Sequence, residues 1–202
     1  ILLLDPPSHW SRVEDVARSQ RDSALASPNV ITYFPQLTAL SADGKRTRSL
    51  SAIGAIAGML ASGDSTGNVL LRSKARVAIE PDAGEAALLA RRGVNVLRGA
   101  APGFISFTGD VTLARSHGSR REWQQLSTRR RAMTIAGTIS QSTRWVAAQT
   151  RGADTWRTLA AQVSHYLDSC ADAGLLAGDA TRRAFYVKCD QDTNAGRTGL
   201  SF

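Results

Sequence analysis

Hydrophobic and polar positions switch between two periods along this chain, and the switches lay out its elements. Ile1 to Leu4 is an apolar run stopped by Pro6-Pro7, which predicts a short buried strand. Residues 9–25 carry a helical pattern that Pro28 breaks. The β-branched and aromatic stretch NVITYFPQLT (29–38) predicts a strand, with Pro35 at a bulge or edge near its end. Small residues recur at helical spacing in SLSAIGAIAGML (49–60), a helix able to pack closely on a sheet, and SGDSTGN (62–68) reads as a loop. Pro81 and Asp82 open a helix whose Leu88 and Leu89 face inward and which Gly93 ends. VNVLR follows as a strand, and after a Pro102-Gly103 turn GFISFTGDVTL (103–113) forms a second.

The last third is helical. Over 122–148, Trp123, Leu126, Met133, Ala136, Ile139 and Val146 recur at three- and four-residue steps and predict one continuous buried face. Over 155–173, Trp156, Leu159, Val163, Tyr166, Leu167 and Cys170 do the same, and Gly174 caps that helix. AFYVKCD then returns to period two, with Phe185, Val187 and Cys189 on one face of a strand and Tyr186, Lys188 and Asp190 on the other. The sum is an α/β fold, a mixed β-sheet packed by several amphipathic helices, expected as a single core domain over residues 1–202.

Composition supports a substantial core, with 43% of 202 residues hydrophobic. No stretch approaches the roughly 20 apolar residues that cross a bilayer, and ILLLDPP is too short for a signal-peptide core. Lacking an initiator Met, the chain reads as a portion of something longer. A net charge of +8 favours an acidic partner: nucleic acid, a membrane surface or an acidic protein. The arginines gather in small clusters at Arg120–Arg121, Arg129–Arg131 and Arg182–Arg183, a pattern that solvated faces also show. Two cysteines, Cys170 and Cys189, are too few for a disulfide framework and match no zinc spacing. Synthesis in a reducing cytoplasm is the default expectation, with a Cys170–Cys189 bridge left open.

The candidate chemistry is thin. Asp190-x-Asp192-x-Asn194 resembles the start of a calcium loop, but such a loop needs Gly at its sixth position and Glu at its twelfth, where this chain has Ala195 and Ser201. An Asx-turn at a strand end is the expected alternative. Both cysteines fall on apolar faces, and His9, His117 and His165 have no recognisable partner motif. Gly63-x-x-x-Gly67 lacks the Gly-Lys-Ser/Thr of a phosphate loop, and no G-x-G-x-x-G follows a strand. No catalytic residue, cofactor or metal ligand is therefore assigned. The pattern points to a structural or interaction role, with a triad assembled across the fold left open.

The order of segments is more specific than any one of them. ILLLDPP, VITYFPQL, AIGAIAGMLASGDSTGNV, ARRGVNVLRGAAPGFISFTGDVTLA, REWQQLSTRRRAMTIAGTISQSTRWVAA and the closing stretch from Trp156 to Phe202 together resemble the C-terminal region of contractile tail sheath proteins. These form the sheaths of contractile-tailed phages, phage-tail-like bacteriocins and type VI secretion systems. The middle departs from the family pattern, with RSLSAIG where Pro-Pro-Ser-Gly is common and GNVLLRSKA where Gly-Val-Trp-x-Ala-Pro-Ala is common.

The resemblance implies a structural, non-enzymatic subunit that polymerises helically around an inner tail tube through head-to-tail contacts. Terminal arms would add strands to neighbouring subunits. One-way contraction of a metastable lattice would drive the tube through a target envelope without any nucleotide. The implied partners are other copies of the chain, the inner tube protein, and baseplate and tail terminator proteins, with no nucleic acid and no membrane insertion. The implied place is a virion tail, or a bacteriocin or secretion particle, assembled in the host bacterial cytoplasm. Arg182, Arg183, Arg129, Arg130 and Arg131 are the candidate contacts to an acidic tube surface, and Leu200, Ser201 and Phe202 begin a C-terminal arm. Two other readings stay open: a basic nucleic-acid-binding protein, and a cysteine-dependent α/β enzyme using Cys189 or Cys170.

Overall fold

The computed structural model describes residues 1–19, 26–41, 43–61, 69–114, 121–150, 152–177 and 184–194. The chain divides into two compact units, Ile1–Arg130 and Arg131–Phe202. The first runs β1 (Leu2–Leu4), α1 (Val13–Ser19), β2 (Val30–Phe34), β3 (Leu37–Leu40), β4 (Thr47–Leu50), α2 (Ile53–Ala61), β5 (Val69–Arg72), β6 (Arg76–Val77), α3 (Ala83–Arg91), β7 (Asn95–Ala101) and β8 (Phe104–Thr108). Helix α4 (Leu126–Ser142) begins in the first unit and ends in the second, which continues with α5 (Ala153–Asp172) and α6 (Gln191–Asn194).

The main sheet of the first unit is mixed, with strand order β1-β2-β7-β8-β5. β1, β2 and β7 run parallel, while β8 and β5 are antiparallel to their neighbours. β2 lies inside the sheet and is buried along its whole length. A strand with both faces covered loses simple alternation and becomes a continuous apolar run, as VITYF does. Its residues still divide by face. Ile31 and Tyr33 join Leu97, Ile105, Phe107, Ile56, Leu60 and Leu126 on one side. Val30 and Phe34 join Trp10, Val13, Val16, Leu89, Val94 and Val96 on the other. Helices α1 and α3 therefore cover one face, and α2 with the first turn of α4 covers the other.

Pro35 does more than mark an edge. It splits the predicted 29–38 strand in two: β2 stays in the main sheet, while β3 leaves for a small antiparallel sheet of order β4-β3-β6. A residue without an N–H cannot continue a ladder in a central strand, so the chain changes sheets there. The predicted buried strand at the start is likewise corrected, because β1 is an edge strand and Leu2 is 52% exposed. Residues 20–25 of the predicted first helix and the loop at 62–68 lie outside the described residues.

Helix α3 starts as predicted. Asp82 accepts from the Glu85 amide and Glu85 from the Asp82 amide, each at 2.8 Å, which satisfies two amides the helix itself cannot. It ends at Gly93, whose φ of +77° suits glycine and whose amide donates to Ala90 while Val94 donates to Leu89. Leu89 is buried, but Leu88 points outward, contrary to the expectation that both face the core. The strand predicted over 103–113 ends at Thr108; Gly109 then turns with φ +120°, and Val111 makes a single bridge to Gln125.

The second unit has a smaller core, in which Val146, Leu159, Val163 and Cys189 are buried with Ile139, Trp145, Trp156, Leu167 and Val187 packed around them. Trp145 Nε1 donates to Gln162 Oε1 at 2.8 Å, and Gln162 Nε2 donates to the Ser142 carbonyl at 3.2 Å, tying the end of α4 to α5. The long face predicted over 122–148 is only partly buried. Met133 is 40% exposed and Ala136 is exposed, while Leu126 and Val146 at the two ends are buried. The segment is also broken into a 3-10 turn (Arg121–Gln124), α4 and a second 3-10 turn (Arg144–Ala148). Helix α5 follows its prediction more closely, with Leu159, Val163 and Cys170 buried and Gly174 at φ +69° closing it.

Candidate interaction surfaces

The two buried thiols are free. Burial pushes the Cys189 thiol above its ordinary value, against a weaker opposing effect of the Asn194 amide, so it is held as a neutral, poorly nucleophilic group. The segment around it differs from expectation. AFYVKCD keeps its alternation, with Cys189 buried and Tyr186 81% exposed, but pairs as a strand with none of the described residues. Asp190 does not make a strand-end Asx-turn. It caps the short helix α6, accepting from the Thr193 amide at 3.0 Å while Thr193 Oγ1 accepts from the Asp190 amide at 3.0 Å. That amide holds the Asp190 carboxyl below its usual range, and the exposed Lys188 ammonium adds to the effect. Among the described residues no three His, Cys, Asp or Glu side chains gather as metal ligands would.

The arginine run at the start of α4 is divided by its surroundings. Arg129 lies over the Trp123 ring at 5.1 Å, and its Nε donates to Asn29 Oδ1 at 2.7 Å. Arg130 is half-buried and donates through Nη2 to the Leu60 carbonyl in the last turn of α2, where a cation favours the helix dipole. Arg131 is exposed, with one long contact of 3.4 Å from Nη1 to the Leu175 carbonyl. All three thus hold internal contacts, but those of Arg129 and Arg130 are short while that of the exposed Arg131 is long. Arg182, Arg183, Leu200, Ser201 and Phe202 lie outside the described residues.

Helix α4 is positioned by a residue that sequence reading did not single out. Asp110 accepts from the Ser127 amide at 2.7 Å and from the Ser127 hydroxyl, capping the helix from 17 residues away. The buried Asn95 fixes the same turn: its Nδ2 donates to the carbonyls of Thr32 and Val111, and its Oδ1 accepts from the Val111 amide. Neither role has a local signature, because each pairs residues distant in sequence. Exposed apolar side chains complete the surface: Leu2, Leu40, Leu70 and Phe104 in the first unit, and Met133, Leu175 and Tyr186 in the second. Among the described residues no helix is long and apolar enough to cross a membrane.

No model of a known protein family matches this chain, and no curated protein sequence does. Solved structures do match. The sheath complex of PVC, an extracellular contractile injection system, in its contracted state superposes with a TM-score of 0.77 at 18% identity, over 98% of this chain and 58% of that one. The contracted helical sheath of the anti-feeding prophage gives 0.76 at 19% identity, over 100% of this chain and 56% of that one. The sheath tail protein of Desulfitobacterium hafniense gives 0.55 at 13% identity, over 87% and 39%. The chain has the fold of contractile tail sheath proteins, so the resemblance read from the sequence holds at the level of the fold. It spans 58%, 56% and 39% of the lengths of these three proteins.

Proposed function

We propose that this chain is the core part of a sheath subunit, a structural protein that polymerises helically around an inner tube and contracts to drive it forward. The observation that carries this reading is the likeness to a contracted sheath over 98% of the chain. The surfaces support it. Met133 and Ala136, on a helix face patterned for burial yet exposed, are surface that a second copy would cover in a lattice. Repetition of one heterologous contact extends without closing, so even a modest patch suffices when every subunit repeats it.

Within this reading Arg131, with Arg182 and Arg183, meets an acidic tube surface, and Leu200 to Phe202 lead into an arm that reaches a neighbour. The protein holds no catalytic role, and its place is a phage tail or a phage-tail-like particle. Electron microscopy of the purified chain, alone and with tube protein, tests the proposal. Hollow helical cylinders are expected, with co-assembly weakened by Arg131→Glu. Persistent monomers at high concentration, with or without tubes, would count against it.

A further inference from the structure

The connection from β5 to β6 reads Arg72-Ser73-Lys74-Ala75-Arg76 and alternates strictly in exposure. Leu71, Ala75 and Val77 pack against the core, and this leaves Arg72, Lys74 and Arg76 exposed. The backbone bends at Lys74 as it passes from β5 in the main sheet to β6 in the small one, so the three cations are set around a corner. The backbone beneath them is tethered: the Ser73 amide donates to the Gly103 carbonyl at 2.8 Å, the Ala75 amide to Ser73 Oγ at 3.0 Å, and Thr38 Oγ1 to the Arg76 carbonyl at 3.3 Å. Opposite stands the β7–β8 turn, where Gly103 takes φ +81° after Pro102, followed by Phe104 at 39% exposure. Together these residues line a cleft of about 700 Å³. Among the described residues, no carboxylate forms a salt bridge with Arg72, Lys74 or Arg76.

We infer that this cleft binds an acidic segment of a partner protein. Three cations line one cleft and pair with no carboxylate among the described residues, so carboxylates of the partner supply the complementary charge. Exposed pairs are individually weak, so the three cations together and their preformed backbone carry the recognition, not any single residue. Pro102 and Phe104 give apolar cover to the methylene stems of glutamates in that segment. The same wall disfavours single-stranded nucleic acid, which needs aromatic side chains in series to stack successive bases; among the described residues Phe104 is the one aromatic side chain lining the cleft. The inference stands whether or not the chain builds a sheath.

Fluorescence anisotropy tests it with three labelled probes: a nonapeptide alternating Glu and Thr, its counterpart with Gln for Glu, and an oligothymidylate of equal length. The Glu peptide binds at low salt and is released as salt rises, and the Gln peptide does not bind. Replacing Lys74→Glu and Arg76→Glu together weakens binding more than about tenfold, whereas Arg48→Glu, equally exposed but outside the cleft, changes it less than about twofold. If the double variant melts early, Lys74→Gln and Arg76→Gln made separately must each still weaken binding. Absence of Glu-peptide binding at low salt overturns the inference. So does an equal loss from Arg48→Glu, or oligothymidylate binding as tight as the Glu peptide.

Discussion

In the first unit the central strand β2 of the main sheet is covered on both faces, and all five of its residues are buried by this chain's own residues. In the second, two helices and an extended segment surround a core whose buried members are Val146, Leu159, Val163 and Cys189. The periodic pattern is as strong in the second unit as in the first, but less of it is buried. Periodicity records which face of an element is meant to leave water; it does not record whether the covering surface belongs to the same chain. A β-sheet closed between helices resolves that ambiguity internally. A long helix such as α4 leaves it unresolved.

The largest expected effect lies where the first unit's packing is densest. Phe34 is fully buried and meets Trp10 edge-on at 6.5 Å between ring centroids. Phe34→Ala leaves a cavity between two covered layers and should cost about 3–5 kcal/mol, read as a lower midpoint in chemical denaturation. A cost below about 1 kcal/mol would break the contrast, since a core that closes over such a loss is not tightly packed.

Next comes an alkaline limit confined to the same unit. Burial, with Asp110 nearby, pushes the Tyr33 phenol up to about 12, against a smaller opposite effect of Arg130. A raised phenol favours the neutral form in the folded state, so stability is intact below the ordinary value near 10 and falls between 10 and 12. The expected slope is about 1.4 kcal/mol per pH unit for this one group. Absorbance of tyrosinate against pH checks it: one of the three tyrosines should ionise late or only with unfolding, and Tyr33→Phe should remove that part of the slope.

A smaller effect belongs to the start of α4. Asp110→Ala removes the cap on the Ser127 amide and should cost about 0.5–2 kcal/mol. The same change removes a carboxylate that raises the Tyr33 phenol, so the late tyrosine should titrate earlier. Both shifts together identify the Asp110 carboxylate as the shared cause, and a stability loss without the titration shift would separate them.

These contacts show what was legible in advance. The ends of helix α3 could be read, because Asp82 and Gly93 act at the ends they define, although Leu88, expected inside, is exposed. The central strands were legible as apolar runs, and the Pro102-Gly103 turn as a dipeptide. The division of NVITYFPQLT between two sheets was not, because which sheet β3 joins depends on β4 and β6. Asp110 and Asn95 were invisible for the same reason, since their partners lie 16 to 63 residues away. Arg72, Lys74 and Arg76 carry a signal, three cations at period two with small residues between. That signal is weak by itself, because a basic alternation reads as a solvated strand until the opposite wall is known.

The smallest effect on folding is also the sharpest probe of the comparison. Met133 is 40% exposed, so Met133→Glu should change the stability of the isolated chain by no more than about 0.5 kcal/mol. If α4 is patterned for a neighbour, the same change places a carboxylate in a face meant to be dry, and polymerisation should fail although the monomer melts normally. Leu126→Glu, at a position 1% exposed, serves as the opposite control and should unfold the monomer itself. A Met133→Glu protein that assembles as well as its parent would mean that the exposed stretch of α4 is simply solvated. The contrast between the two units would then be one of core size alone, with no surface of α4 reserved for another copy.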